Sequence, residues 1–145
     1  MKGEKKLQKD LQYSIGSMFH GNSYIRVSHP DQYEQRGIPD LLGHIFGIHI
    51  EIELKVHPNR PSGSQVEQMR RVNESGGYAC VILYWPKRKE YYLVEKDNIS
   101  EFSYRKRESW VRLPHANIDG RVIINLTYLY CAMVQKLESR YANKS

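Results

Sequence analysis

Asp40 sits in the run Gly37-Ile38-Pro39-Asp40, and thirteen residues further on come Glu53-Leu54-Lys55. Two carboxylates with a lysine two residues after the second are the groups needed to hold a divalent cation against a phosphodiester. Mg²⁺ takes hard oxygen ligands, commonly one or two carboxylates completed by water and substrate phosphate. A lysine beside them supplies charge to the attacked phosphate or helps to activate water. Taken alone, Pro-Asp followed by Glu-x-Lys is a short pattern that also fits a charged, solvated strand face.

The surrounding residues define the elements that must position these groups. Ile48-His49-Ile50-Glu51-Ile52-Glu53-Leu54-Lys55 alternates strictly, which predicts a β-strand with two unlike faces. Ile48, Ile50, Ile52 and Leu54 form the apolar face. His49, Glu51, Glu53 and Lys55 form the polar one, so His49 is a conceivable further ligand on a His-x-Glu-x-Glu stripe. Leu41-Leu42 predicts a short strand before it, and Gly47 a tight turn between the two. A hairpin made this way brings Asp40 near Glu53.

After this strand, residues 57–63 predict a loop from their Pro, Asn and Gly content. Ser64-Gln65-Val66-Glu67 has the form of a capping box, with Ser64 as cap and Glu67 reaching back. Val66, Met69 and Val72 give the helix that follows a sparse apolar stripe, and Gly76-Gly77 ends it. Residues 78–84, YACVILY, then predict an apolar strand.

This order and spacing resemble the PD-(D/E)xK nuclease superfamily. The matching residues are Arg36-Gly37-Ile38-Pro39-Asp40-Leu41-Leu42-Gly43, Glu53-Leu54-Lys55, Ser64-Gln65 and Gly76-Gly77-Tyr78-Ala79. Within the superfamily the chain most resembles the compact virus-type replication-repair nuclease (VRR-NUC) domains, related in fold to archaeal Holliday-junction resolvases. The resemblance covers about residues 4–84. It implies a metal site of Asp40, Glu53 and the backbone carbonyl of Leu54, with Lys55 as catalytic lysine. It further implies Gln65 as a catalytic helper that orients water or phosphate, and Glu4 as an added acid from the first helix. Glu51 departs from the pattern, which has a small or apolar residue at that place.

Net charge is +6 over 145 residues, with a pI near 9.3. That favours a polyanionic partner, and the length suits one domain over 1–145. Cys80 and Cys131 each lie in an apolar segment and read as buried thiols rather than a disulfide framework. No cysteine–histidine cluster has zinc spacing. No apolar run reaches membrane or signal length, so a soluble cytoplasmic protein is expected.

Leu7, Leu11, Ile15 and Met18 make the first segment an amphipathic helix, ended by Gly21-Asn22. Its lysines, including Lys5 and Lys9, lie near phosphates or on a solvated face. Residues 24–27 predict a strand, and 28–35 a polar loop across the mouth of the site. In the second half, residues 84–94 predict two strands joined by the basic turn Lys87-Arg88-Lys89. Arg105, Lys106 and Arg107 form a second basic cluster, with Tyr104 and Trp110 interleaved. With Arg36, Lys5 and Lys9, these two clusters are the expected nucleic-acid contacts. Leu126, Leu129, Tyr130, Met133, Val134 and Leu137 trace a C-terminal helical stripe, capped by Asn125. It reads as core, or as the seam of a homodimer.

The sequence therefore predicts a restriction-endonuclease-like α/β domain. A central mixed sheet is flanked by helices, with a basic hairpin and loop region over 85–145 and a C-terminal helix. The expected activity is Mg²⁺- or Mn²⁺-dependent endonucleolytic cleavage of DNA, of branched, flapped or Holliday-junction type, in repair or recombination. A sequence-specific restriction-type nuclease and a non-catalytic DNA-binding protein on the same fold are the alternatives.

Overall fold

The computed structural model describes residues 2–28, 39–100 and 104–142, with the side chains of Lys2, Asp97 and residues 104–106 left aside. The expected loop beyond Ser28, and Arg36 with it, lie outside the described residues, as do the side chains of Arg105 and Lys106.

Helix α1 (Lys2–Met18) leads into β1 (Ser23–Val27), β2 (Leu41–Ile45) and β3 (Ile48–Val56). Helix α2 (Gly63–Glu74) precedes β4 (Tyr78–Trp85) and β5 (Glu90–Glu95). The short α3 (Asp97–Ser100), a 3-10 turn over 104–109 and β6 (Val111–Leu113) follow. A separate hairpin, β7 (His115–Ile118) with β8 (Arg121–Ile124), precedes α4 (Thr127–Ala142). The sheet runs β1-β2-β3-β4-β5-β6. Among the described residues only β3 and β4 pair in parallel, joined by the α2 crossover. The protein is thus a mixed α/β fold with a central mixed sheet, flanking helices and a C-terminal helix.

The alternation read in residues 48–55 sets both faces of the sheet. Ile48, Ile50, Ile52 and Leu54 are buried with Leu7, Leu11 and Ile15 of α1 and with Leu129 and Met133 of α4. Ala79, Val81 and Leu83 of β4 are buried on the opposite face with Met69 and Val72 of α2. The β2–β3 turn has Phe46 at φ 53° and Gly47 at φ 76°. Positive φ at both central residues is the two-residue turn whose twist matches a hairpin. Gly43 lets β1 close on β2: a Cβ there would stand 1.8 Å from the Tyr24 carbonyl oxygen.

Five expectations are corrected. The α2 cap is Ser62, not Ser64: its hydroxyl accepts from Gln65 N, and the Gln65 side chain accepts from Ser62 N. Glu67 instead pairs with Arg70 and Arg71. Met18 is exposed, and Phe19, just past the helix, is buried in its place. Cys131 is exposed, because it lies on the outer side of α4, while Cys80 is buried. Leu126, Leu129 and Met133 are wholly buried, so the inner stripe of α4 is core and Met133 cannot be the centre of a contact between copies. Trp110 is likewise core, edge-on to Tyr92. No helix among the described residues is long and apolar enough to cross a membrane.

Candidate metal and nucleic-acid site

The hairpin register sets the site. Leu41 pairs with Ile52, Leu42 with Glu51, and His44 with His49. One step beyond Leu41, β2 ends at Asp40 while β3 continues, so Asp40 lies level with Glu53. Its Oδ2 accepts from Leu54 N at 2.8 Å, a ladder amide that β2 no longer reaches. That bond fixes the carboxylate beside the Leu54 peptide.

Glu53 stands on the α2 face of β3, with its side chain 3% exposed. Gln65 Nε2 donates to its Oε1 at 2.9 Å, and Lys55 Nζ lies 3.8 Å from the same oxygen. Burial, then the hydrogen bond and charge of Asp40, push the Glu53 carboxyl up to about 10. Lys55 opposes that rise and Glu4 adds to it. Glu4, from the start of α1, is therefore within electrostatic reach around the end of the sheet. Gly3 beside it packs toward Val56, the last residue of β3.

Asp40 adds to the burial that keeps the Glu53 carboxyl protonated, and a bound cation would relieve the repulsion between the two carboxylates. A pair of carboxylates that gains from a shared positive charge fits a hard divalent cation. Among the described residues no three His, Cys, Asp or Glu side chains form a complete ligand cage. Asp40 and Glu53 offer two neighbouring carboxylates, and Mg²⁺ commonly takes one or two, with water and phosphate completing its shell.

Glu51 is separate from this group. It is buried, accepts from Gln68 Nε2 at 3.2 Å, and meets His49 Nε2 at 2.5 Å. Gln65 and Gln68, one turn apart on α2, thus hold Glu53 and Glu51 respectively. The Gln68 partnership went unread in the sequence. Its signal was the spacing: Gln65 and Gln68 repeat at i, i+3 opposite Glu53 and Glu51 at i, i+2.

No protein-family model matches the chain, and no curated protein matches it in sequence. Among solved structures it is similar to the Holliday junction resolvase Hjc of the archaeal hyperthermophile Archaeoglobus fulgidus, at 17% identity and a TM-score of 0.44. The match covers 61% of this chain and 75% of that one.

The expected nucleic-acid residues divide by position. His57 follows β3 and stacks on Trp85 at 4.1 Å between ring centroids and 8° between planes. Arg88 lies over the Trp85 ring at 4.1 Å, and Arg107 approaches it at 5.9 Å. Partial desolvation, then Lys87 and Arg88, hold the His57 imidazole below its ordinary value. Lys87, Arg88 and Arg107 therefore form one basic patch beyond Lys55, on the same side of the sheet. Lys89 turns away, lining a cavity with Lys6, Asp10 and Tyr91 on the α1 side. Lys5 and Lys9 are exposed on α1. The His57–Trp85 stack was missed in the sequence, because the two residues are 28 positions apart and meet only through the parallel β3–β4 pair.

Proposed function

We propose that the chain is a metal-dependent endonuclease that hydrolyses DNA phosphodiester bonds, with a PD-(D/E)xK site of the VRR-NUC kind. The observation that carries the reading is Asp40 hydrogen-bonded to buried Glu53, with Lys55 and Gln65 on the same Glu53 oxygen. Asp40, Glu53 and the Leu54 carbonyl would hold Mg²⁺ or Mn²⁺, with Glu4 as an added acid. When bound, the ion supplies positive charge to the phosphate and lowers the pKa of water for attack on phosphorus.

The chain's own residues do the rest. The Leu54 amide keeps Asp40 turned toward the site. Gln65 fixes Glu53 Oε1 and so holds the carboxyl group in one orientation beside Asp40. Lys55, 15% exposed, is held over the site by the same carboxylate and can reach a phosphate oxygen or the attacking water. Lys87, Arg88 and Arg107 supply phosphate contacts beyond it.

Branched or flapped DNA, including Holliday-junction-like forms, is the proposed substrate, which places the enzyme in repair or recombination. That choice follows the likeness of the motif to VRR-NUC domains. The test is cleavage of duplex, nicked, flapped and four-way DNA with Mg²⁺, Mn²⁺, Ca²⁺ or EDTA. Metal-dependent cleavage strongest on branched forms is expected. Cleavage confined to one duplex sequence would favour a restriction-type enzyme, and binding without cleavage a non-catalytic protein.

A further inference from the structure

On the open face of β1–β2–β3 the register stacks three cross-strand rows. The first is Tyr24, His44 and His49; the second Arg26, Leu42 and Glu51; the third Asp40 and Glu53. All share a face, because Ile25, Ile45, Ile50 and Ile52 point to the core on the other. Alternate residues on a strand are about 6.6–6.8 Å apart, so the first row lies about 13 Å from the candidate metal site. Helix α2 packs over β4 and the adjoining part of β3, and the first row stays exposed. Tyr24 is 59% exposed and the His49 side chain 50%. Tyr24 and His44 stack across the strands at 5.8 Å between centroids and 29° between planes.

We propose that this face is a stacking platform for an unpaired nucleic-acid strand that continues from the scissile phosphate. The inference rests on the proposed nuclease reading, and gives its substrate a polarity. A line along β3 starts at the Tyr24–His44–His49 row, passes Glu51, Glu53 and Lys55, and ends at His57–Trp85 under Arg88. The two ends differ in chemistry. The far end is cationic, with Trp85 buried beneath Arg88 and so closed to bases. The near end offers the open rings of Tyr24 and His44, while His49 beside them is tied to Glu51 of the next row. Exposed rings on a flat sheet bind splayed bases, since every unpaired base has a free π-face and a duplex base does not. Arg26 in the second row is half-exposed and can follow the backbone between rings and site. The duplex arm then falls on Lys87, Arg88 and Arg107, and the unpaired strand on Tyr24, His44 and His49.

The test is fluorescence anisotropy in EDTA, where cleavage cannot intervene. The probes are an oligothymidylate, a blunt duplex and the same duplex with an unpaired tail. Tyr24→Ala and His44→Ala should each weaken binding of the oligothymidylate and the tailed duplex by about fivefold or more, the effect of losing one base stack. Blunt-duplex affinity should be unchanged, and Tyr24→Trp should restore tail binding. Circular dichroism establishes that each variant is folded. Wild-type affinity of the folded Tyr24→Ala/His44→Ala double variant for the oligothymidylate overturns the proposal. So does an equal loss on duplex and single strand, or a fall in light-scattering mass showing that the face joins two copies. If single-strand binding follows Tyr24 and His44 but the wild type cleaves nothing, the platform stands and the nuclease reading falls. If cleavage needs Asp40 but single-strand binding ignores Tyr24 and His44, the reverse holds.

Discussion

Glu53 lies where stability and chemistry oppose each other. Its carboxyl is raised to about 10 in the folded protein, against an ordinary value of 4.5, chiefly by burial and then by Asp40. A group whose folded pKa is raised favours the fold in its protonated form. That stability is full below about 4.5 and is lost as pH rises toward 10. Glu53→Gln mimics the protonated form, so in EDTA at pH 8 it should raise the melting temperature by a few degrees, as about 1 kcal/mol does in a chain of this size. The same variant, like Asp40→Asn, should lower cleavage by about a thousandfold, roughly 4 kcal/mol of transition-state stabilisation. Near-wild-type turnover by either in Mg²⁺ would remove both residues from the site. Glu51→Gln should be far milder, within about tenfold in rate, because Glu51 faces Gln68 and His49 rather than Asp40. Steady-state rates on one flapped substrate rank the variants, and a larger loss for Glu51→Gln than for Glu53→Gln would place the chemistry one step earlier on β3.

Helix α2 is held by its first turn, and that turn also aims Gln65. Ser62→Ala removes the acceptor for Gln65 N and should cost about 1 kcal/mol, read as a lower urea midpoint. Cleavage at low temperature should persist, since the Ser62 backbone N–H still holds Gln65 Oε1. A wild-type midpoint would mean that the cap does not stabilise the helix. How much of the fold was legible follows from how local each signal is. Strand β3 was readable residue by residue, because its alternation is written in one continuous stretch. The hairpin was readable from Gly47 and the strands flanking it, and with it the approach of Asp40 to Glu53. The α2 cap was misplaced by two residues because Ser62 and Ser64 both precede a candidate partner, and only the backbone course chooses between them. Strands β6 to β8 were not foreseen. They are short and, apart from Leu113 and Ile124, little buried, so they carry no strong alternation. The Glu51–Gln68 contact and the His57–Trp85 stack depend on which elements become neighbours, which no local pattern records.

At the scale of the whole molecule, α4 closes the face of the sheet opposite the site. Met133 is fully buried there, so Met133→Glu should abolish the cooperative thermal transition rather than yield a folded monomer. A folded Met133→Glu protein of halved mass would return the inner stripe of α4 to the role of a seam. The charge distribution gives the sharper test. Lys87 and Arg88 lie with Trp85 on the site's side of the sheet, whereas Lys89 faces the cavity beside α1. Each phosphate contact releases counterions and contributes about 0.9 to the slope of log affinity against log salt on duplex DNA. With binding measured in Ca²⁺, Lys87→Ala and Arg88→Ala should each lower that slope by about 0.9, and Lys89→Ala should leave it unchanged. The contrast matters more than the sum, since all three substitutions remove the same formal charge. Equal effects from all three would show that the net charge of +6 attracts DNA without a defined track. A loss confined to Lys87 and Arg88 would fix the duplex to the Trp85 end of β3, leaving the Tyr24 end for the strand that is not paired.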